Sequence, residues 1–418
     1  MYNKTSEQFN NLITQPGRTF RARILIGETV LEGLSSIKTA SGSNNGEALT
    51  LGSTISQMAE ITMDTPEISL AGQEFELQIG LKLGEDNYEY LPMGLFTPEK
   101  TTNKQKKTSF TAYDRMIKLS GSYVSNLSDE TDTLAVLNEI ATKTGVSIDV
   151  TGLTTISMKK PEGYTYREAL ACISQLYGCF ANVNRVGIIK LRFWENAGYE
   201  LTADAGINGF SHGESEFVVG KIVCVTSCDE VGNSNSLTLG DGAKGIVIYN
   251  EFMTQEILDS IYAKMKGFSY TPVNCPVILG DPRLDPWDMI SITDVDGNVY
   301  NVPIMSLSFE YDGGFSSTIV STVAEESEET NDYKGPLQQL QDKVQGLKTT
   351  LVSFSKEIKG TRVVGARNLL RNSRTLIFED YYFGKGTSVV VSGVLLLSSE
   401  GYVLKDSNGV YLTAKESE

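Results

Sequence analysis

The chain has 418 residues and a mass of 45.7 kDa, and its 52 acidic and 36 basic residues give a formal net charge of −16. This length predicts two to four domains. An acidic chain without a Lys/Arg-dense face repels nucleic-acid phosphates and anionic lipid, which excludes specific nucleic-acid recognition. The polar segment 1–20 carries no secretory signal, and the longest apolar run, 389–397, is too short to span a membrane.

Few residues suit metal or thiol chemistry. His212 is the single histidine, and no cysteine lies near it at a ligand spacing. The five cysteines include no C-x-x-C pair and are predicted to be buried, reduced thiols rather than a disulfide framework. They are Cys172, Cys179, Cys224, Cys228 and Cys275. The sequence therefore predicts no metal and no cofactor.

Short alternating runs characterise residues 1–120. Segments 20–24, 74–79 and 109–113 alternate apolar and polar residues between Gly, Asn and Pro positions, which is typical of antiparallel strands. The polar stretch 41–47 and the Lys-rich stretch 101–107 are predicted to be mobile, solvated hairpin tips. Residues 1–120 are predicted to form a small β-barrel.

The apolar period changes to that of helices in residues 121–203. Leu134, Leu137 and Ile140 have helical spacing, and Gly145 suits the end of that helix. A second helix begins at a capping box formed by Thr165 and Glu168. Strands are predicted after each helix, at 146–150, 180–183 and 188–193, so this region is predicted to be an α/β domain.

Residues 204–325 are predicted to form a second β-barrel that contains one helix. Strands are expected at 217–226, 245–249, 289–293 and 299–311, and an amphipathic helix at 255–266. The Asp296-Gly297 pair provides the positive φ angles of a tight hairpin between the last two strands. Asp294, Asp296 and Asn298 also resemble the start of a calcium loop, but the later Gly and Glu are missing, so the hairpin is favoured.

A different composition begins after Ala324. Residues 326–335 are predicted to be an acidic linker, 336–360 a coiled-coil helix, and 361–418 a β-prone tail that packs between chains. An isolated helix with an apolar stripe is marginal in water, so the seam predicts self-association. Its spacing does not choose between two and three strands. The predicted oligomerisation residues are Leu337, Leu340, Val344, Leu347, Leu351, Phe354 and Ile358.

Two motifs that suggest an enzyme are rejected. Residues 209–213 match G-x-S-x-G, but the histidine base of such a hydrolase lies far downstream, whereas His212 is next to Ser211. Residues 240–245 are glycine-rich without the spacing of a phosphate-binding loop, and are predicted to be a turn. The sequence therefore predicts no catalytic residues. A carboxylate pair of a glycoside hydrolase has no diagnostic spacing and stays open.

Several segments resemble phage tail hub proteins in their order along the chain. Segment 280–290, the Asp296-Gly297 hairpin and segment 311–317 are similar to the second barrel of that family, and segments 93–96 and 112–119 to the end of its first barrel. The resemblance covers roughly residues 1–330. The predicted fold class is mainly β, with two small β-barrels around an α/β domain, then the coiled-coil helix and the β-rich tail.

The resemblance implies a non-enzymatic homotrimer in a phage tail tip or baseplate. Two barrels per chain, repeated three times, would make a pseudo-sixfold ring that continues the tail tube, and the heptad helix would become a threefold stalk. The implied partners are tail-tube, baseplate and fibre proteins, with transient contact to DNA or a tape-measure protein in the channel. The implied location is the virion tail, after assembly in the host cytoplasm. Two alternatives stay open: a tail-associated cell-wall hydrolase, and an adhesin with a glycan-binding C-terminus.

Overall fold

The computed structural model describes residues 2–321, with gaps at 3, 45–48, 65–69, 71, 105–106, 208, 229–233 and 243, and the short segments 389–391 and 394–396. The seven predicted oligomerisation residues, the linker, the coiled coil and most of the tail lie outside these residues. The structure is mainly β. Its helices are α1 Glu7–Leu12, α2 Thr133–Thr144, α3 Tyr166–Leu176 and α4 Gln255–Met265, with 3-10 helices at Arg115–Leu119 and Ala203–Ala205.

Seven strands come from the first predicted β region. They are β1 Phe20–Ile26, β2 Thr29–Leu31, β3 Leu34–Gly42, β4 Met58–Met63, β5 Phe75–Gly84, β6 Asn87–Lys104 and β7 Lys107–Tyr113. The predicted α/β region adds β8 Glu130–Asp132, β9 Ile148–Asp149, β10 Ser157–Lys159, β11 Phe180–Val183, β12 Ile189–Arg192 and β13 Glu195–Leu201.

The second predicted β region and the tail contain the other strands. They are β14 Ser211–His212, β15 Phe217–Val218, β16 Lys221–Cys228, β17 Ser234–Gly240, β18 Gly245–Tyr249, β19 Ser269–Tyr270, β20 Val273–Val277, β21 Asp288–Thr293, β22 Val299–Pro303, β23 Ser306–Tyr311, β24 Phe315–Ser321, β25 Val389–Val391 and β26 Val394–Leu396. The last two pair antiparallel within the predicted tail.

Local signals in the sequence account for the helices. The Asp132 side chain accepts from the Ala135 amide at the start of α2, and Gly145 ends that helix with a φ of 68°. Both hydrogen bonds of the Thr165–Glu168 capping box are present at α3. The three predicted helices are therefore confirmed. The short helix α1, capped by Ser6, was not expected.

One long sheet joins the two predicted β regions. It has eleven strands in the order β14-β20-β24-β23-β3-β4-β7-β6-β5-β1-β2. Strand β3 of the first region pairs with β23 of the second, and the apolar residues of both regions form one core cluster. The finer division into two closed barrels stays a prediction.

A second core lies under the α/β region. Its buried residues include Ile140 of α2 and Ile173 of α3, together with Ile222, Ile246 and Ile261 from the segment between β15 and β19. The sheet β17-β16-β18 therefore shares its core with the α/β region, because α4 packs between them. The predicted boundary at residue 204 stays a prediction.

The predicted solvated tip at 41–47 is wrong for the part that the structure describes. Ser43 and Asn44 are buried at 0% and 3% exposure. The Ser43 amide donates to the Met305 carbonyl at 2.8 Å, and the Ser43 hydroxyl donates to the Ile304 carbonyl at 3.0 Å. Ser43 fits this interior position because its amide and its hydroxyl each find a carbonyl of the second β region.

Candidate assembly surface

Eight neighbouring strands of the long sheet repeat one strand order twice. We call the run β14-β20-β24-β23-β3-β4-β7-β6 the wall, its first-region half β3-β4-β7-β6 the first quartet, and β14-β20-β24-β23 the second quartet. In each quartet the first two strands follow one another in chain order among the strands of the wall. The last two strands are paired neighbours in the chain, and the later one comes first in the wall. All neighbours pair antiparallel, so the second quartet maps onto the first by a step of four strands along the wall.

The two quartets meet at strands β3 and β23. Six residue pairs join them, from Ser306 opposite Gly42 to Tyr311 opposite Ile37. The Ser41 hydroxyl adds a hydrogen bond to the Leu307 carbonyl at 3.1 Å. The junction between the quartets is therefore a full antiparallel ladder, like the pairing inside each quartet.

The two faces of the wall differ in chemistry. Along each strand the residues alternate, so that Ile61, Phe110 and Phe309 are buried in the core while their neighbours point to the other face. The second face carries many hydroxyl side chains: Ser36, Thr62, Thr97, Thr102, Ser109, Thr111, Ser306, Ser308, Ser316 and Thr318. We call it the hydroxyl face.

Charges in the middle of the hydroxyl face partly balance. Lys38 lies between Glu60 of β4 and Glu310 of β23, and its ammonium contacts the Glu310 carboxylate at 2.8 Å. The hydrogen bond to Glu310 raises the pKa of Lys38 above its ordinary value. A shallow depression of about 400 Å³ lies here, over strands β3, β4, β6 and β7. This surface therefore has little net charge, although the whole chain is acidic.

The wall has two strand edges. The first part of β6 pairs with β5, which leaves at Phe96, and residues 97–104 pair with β7 alone among the described strands. At the other end, Ile207 and β14 lie along β20, and the described strands contribute no neighbour beyond them. Backbone groups on such edges can pair with another chain.

Aromatic side chains surround the β14 edge. The ring of His212 lies 4.8 Å from that of Tyr300 and 5.8 Å from that of Phe210, measured between centroids. The Tyr300 hydroxyl donates to an Asp294 carboxylate oxygen at 3.0 Å. Hydrogen bonds from Asn298, Tyr300 and the Asp296 amide lower the pKa of Asp294 to about 2. The predicted hairpin between β21 and β22 is thus confirmed, but its connection spans residues 294–298 and is held by Asp294, and of the Asp296-Gly297 pair Gly297 alone has a positive φ, 84°.

A buried arginine fastens the first quartet and the loop before β21 to the α/β region. Arg185 lies in the turn between β11 and β12, and its guanidinium contacts Asp285 at 2.8 Å. It also donates to the Pro92 carbonyl of β6 at 2.9 Å, and to the carbonyls of Pro282 and Leu284 at 2.8 and 2.9 Å. One side chain therefore links the first quartet's long strand to the loop before β21.

The motifs rejected above do not gain catalytic geometry. Ser211 and His212 are adjacent on β14, and the His212 Nδ1 atom lies 3.0 Å from the Gly213 carbonyl oxygen. Of the cysteines, Cys172, Cys179, Cys224 and Cys275 are free thiols. Burial raises the pKa of Cys179 to about 11 and that of the other three to about 12. These thiols are protonated at neutral pH and are poor nucleophiles.

Within the part of the chain that the structure describes, no cluster of three His, Cys, Asp or Glu side chains could hold a metal ion. No helix there has the length and hydropathy needed to cross a bilayer.

The fold is similar to those of solved tail proteins. Neither models of protein families nor curated proteins give a match to the sequence. The tail protein from Neisseria meningitidis MC58 aligns with a TM-score of 0.52 at 11% identity, over 72% of this chain and 95% of that one. The 43 kDa tail protein of prophage MuSo2 from Shewanella oneidensis aligns with a TM-score of 0.46 at 13% identity, over 72% and 98%.

A third tail protein aligns over a similar range. It is a prophage tail protein from Listeria monocytogenes EGD-e, with a TM-score of 0.44 at 12% identity, over 73% of this chain and 95% of that one. The chain has the fold of a tail protein, and the resemblance of its sequence to phage tail hub proteins is confirmed at the level of the fold.

Proposed function

We propose that this protein is a non-enzymatic structural hub at the tip or baseplate of a phage tail. In this role it forms a homotrimer whose six quartets make a pseudo-sixfold ring, and it joins the tail tube to distal tail components. The observation that carries the proposal is the repeated strand order of the wall. A chain with two equivalent quartets turns a threefold assembly into a ring with six similar sectors, which suits a junction between sixfold and threefold parts.

The hydroxyl face supports a channel-lining role for the wall. In the proposed ring this face points to the lumen, because the opposite face is buried in the core of each copy. Short hydroxyl side chains and a near-balanced charge give a passing polymer, such as DNA or a tape-measure protein, few strong contacts. The predicted coiled coil would then extend as a threefold stalk below the ring.

Mass measurement of the full-length protein tests the trimer. We expect a species of three chains in light scattering after size-exclusion chromatography, and single-particle images of rings with six similar lobes. Leu347→Asp places one charge from each chain at the same layer of the seam and should weaken trimerisation, whereas Thr349→Asp, at an outward heptad position, should not. A wild-type protein that stays monomeric at micromolar concentration would contradict the proposal.

A further inference from the structure

We infer that an outward surface of β1, β5 and β6 is the docking site for a protein partner that presents a short, acidic, extended segment. We call this surface the arginine–tyrosine face; it consists of Arg21 and Arg23 of β1 and of Tyr88 and Tyr90 of β6. The inference rests on the proposed function only for the position of this face in an assembly, because its geometry belongs to a single chain.

Each arginine of the face is stacked on a tyrosine ring. The guanidinium carbon of Arg21 lies 4.6 Å from the centroid of the Tyr88 ring. That of Arg23 lies 3.6 Å from the centroid of the Tyr90 ring, and its Nε atom donates to Gln78 Oε1 at 2.7 Å. The centroids of the two tyrosine rings are 6.2 Å apart. These contacts order the long side chains in advance, which lowers the entropy cost of binding a partner.

Gly80 of β5 makes room for this stacking. In the antiparallel ladders it lies opposite Arg21 of β1 on one side and opposite Tyr90 of β6 on the other. A Cβ atom at residue 80 would lie 2.7 Å from a ring carbon of Tyr90, so any side chain there would displace the ring. The glycine therefore lets Tyr90 lie across β5 toward β1, where Arg23 covers it.

The two arginines lack an acidic partner among the residues that the structure describes. Arg115, Arg185 and Arg283 each contact a carboxylate at 2.6–2.8 Å. Neither Arg21 nor Arg23 has such a contact within the described part of the chain. A tyrosine ring covers one face of each guanidinium and leaves N–H groups at its edge. Planar donors of this kind favour a carboxylate.

The surface around these arginines is positive, although the whole chain has a formal net charge of −16. The outward side chains of β1 and β5 include Arg21, Arg23 and Lys82 against Glu76, a formal charge of +2. The turn that follows β5 carries two acids at 85–86, which bound the positive area at one end. A long polyanion would meet these acids, whereas a short acidic segment between neutral residues complements the surface.

The spacing of the arginines fits an extended peptide. Arg21 and Arg23 are two residues apart on one strand, which is roughly 6.8 Å. Acidic residues at alternating positions of another extended segment have the same spacing, so two carboxylates can pair with both guanidinium groups at once. Arginine and tyrosine are also enriched among the residues that contribute most to binding between proteins. These features favour a protein partner over an anionic glycan.

The arginine–tyrosine face points away from the hydroxyl face. Strands β1 and β24 are not neighbours in the long sheet, but the rings of Phe20 and Phe315 lie 5.1 Å apart across the shared core. Arg21 and Ser316 are the next residues along these strands, so they project from opposite sides of that core. Because Ser316 belongs to the hydroxyl face, the arginine–tyrosine face lies at the periphery of the proposed ring. Its partner is therefore another tail component rather than the polymer in the channel.

Peptide binding to the full-length protein tests the inference. The probe is a short, fluorescently labelled peptide of threonines with two glutamates separated by one threonine, and its isomer has the two glutamates adjacent. By fluorescence anisotropy we expect the wild type to bind the alternating peptide about fivefold more tightly than the isomer, and about fivefold more tightly than Arg21→Gln/Arg23→Gln does. Lys38→Gln/Lys107→Gln removes the same charge from the wall and should bind like the wild type.

A second pair of variants tests the stacking without changing the charge. Tyr90→Leu removes the ring beneath Arg23 and should weaken binding of the alternating peptide, whereas Tyr90→Phe keeps the ring and should bind like the wild type. An unchanged far-UV circular dichroism spectrum and urea midpoint show that each variant is folded. Wild-type binding by a folded Tyr90→Leu variant would contradict the role of the stacked ring.

The other outcomes separate the inference from the proposed function. Equal binding of the alternating peptide by the wild type and by Arg21→Gln/Arg23→Gln would overturn the docking site. Equal affinity for the isomer, or tighter binding of trigalacturonate than of the peptide, would overturn the acidic extended segment as the partner. A protein that is monomeric in light scattering but binds as expected would remove the hub role and leave the docking site standing. A trimer that binds no peptide would do the reverse.

Discussion

The two quartets of the wall have the same strand order but differ in their connections. In the first quartet β6 is one strand of 18 residues that pairs with β5 and then with β7. In the second quartet the equivalent path is broken into β22 and β23 at Ile304 and Met305. The carbonyls of these two residues accept the hydrogen bonds of Ser43, and the Ile304 carbonyl also accepts from the Trp194 indole at 3.0 Å. The strand is broken where the first region and the α/β region dock on it.

The quartets also differ in what is inserted between their first two strands. Residues 43–57 connect β3 to β4, whereas residues 213–272, with strands β15 to β19 and helix α4, connect β14 to β20. The larger insertion packs into the α/β core and leaves the strand order of the wall unchanged. The wall is therefore the constrained part of the molecule, and the two quartets vary in the segments that connect their strands.

Removing the side chain that joins the first quartet, the loop before β21 and the α/β region should have the largest effect. Arg185→Ala deletes the contacts to Asp285 and to three backbone carbonyls inside the protein. Loss of one partner of a buried ion pair costs about 3–5 kcal/mol. We expect both β regions of the Arg185→Ala variant to unfold in one transition, at a lower urea concentration than in the wild type. Arg185→Lys, which keeps the charge but not the planar fork, should recover only part of the loss. Separate transitions for the two regions would contradict a shared core.

A buried carboxyl at the end of the first quartet should make stability depend on pH. Asp114 follows β7 and is 2% exposed, and burial raises its pKa to about 6. Because the folded pKa lies above the ordinary value of 3.8, the folded state binds the proton more tightly, and stability falls as pH rises from about 4 through 6. The shift corresponds to about 3 kcal/mol.

The Asp114→Asn variant isolates this effect. The Ser56 hydroxyl and the Met116 amide donate to Asp114 Oδ1, and Oδ2 has no hydrogen-bond partner among the described residues. Asparagine keeps the accepting oxygen and carries no charge. We expect its unfolding midpoint to change less than that of the wild type between about pH 4 and pH 6. Equal slopes for both proteins would show that Asp114 does not carry the dependence.

Local chemistry in the sequence predicts where helices, turns and strands lie, but not which strands pair with each other in the sheet. The caps at Thr165 and Gly145, and the Asp294 turn, are short-range hydrogen bonds, so α3, the end of α2 and the hairpin could be placed from sequence. The third helix, α4, was placed by its apolar face. Period-two alternation shows that a strand has a buried face, but it carries no information about which strand lies beside it. The pairing of β3 with β23 could therefore not be predicted.

The same limit explains the error at Ser43. A Ser-Gly-Ser-Asn-Asn-Gly segment has the composition of a solvated turn, and its burial depends on the carbonyls of Ile304 and Met305, far along the chain. The candidate assembly surface depends on the same long-range pairing. Sequence patterns indicated self-association through the heptad seam, whereas the edges of the wall emerged only from the strand order.

A conservative change in the shared core should have a smaller effect than the loss of Arg185. Phe315 begins β24, and its ring lies 5.1 Å from Phe20 of β1 and 5.2 Å from Phe309 of β23. Phe315→Leu keeps most of the apolar volume but loses two ring contacts, each worth about 0.5–1.5 kcal/mol. We expect a loss of about 1–3 kcal/mol in the free energy of unfolding. Phe180→Leu, in the α/β core, is the matched control and should leave the β regions' transition in place.

The smallest effect is expected from the ion pair at the junction of the quartets. Lys38 and Glu310 lie opposite each other on β3 and β23, and their side chains are 59% and 49% exposed. Water and salt screen such a pair, so the junction is held by its backbone ladder and by the buried residues behind it. Lys38→Ala should leave the urea midpoint unchanged within error at 0.15 M salt, and Glu310→Ala should behave alike. A lower urea midpoint in Lys38→Ala that recovers in the Lys38→Arg variant would show instead that the ion pair on the hydroxyl face helps to join the quartets. The charges of this face would then be constrained, unlike those of the connecting segments.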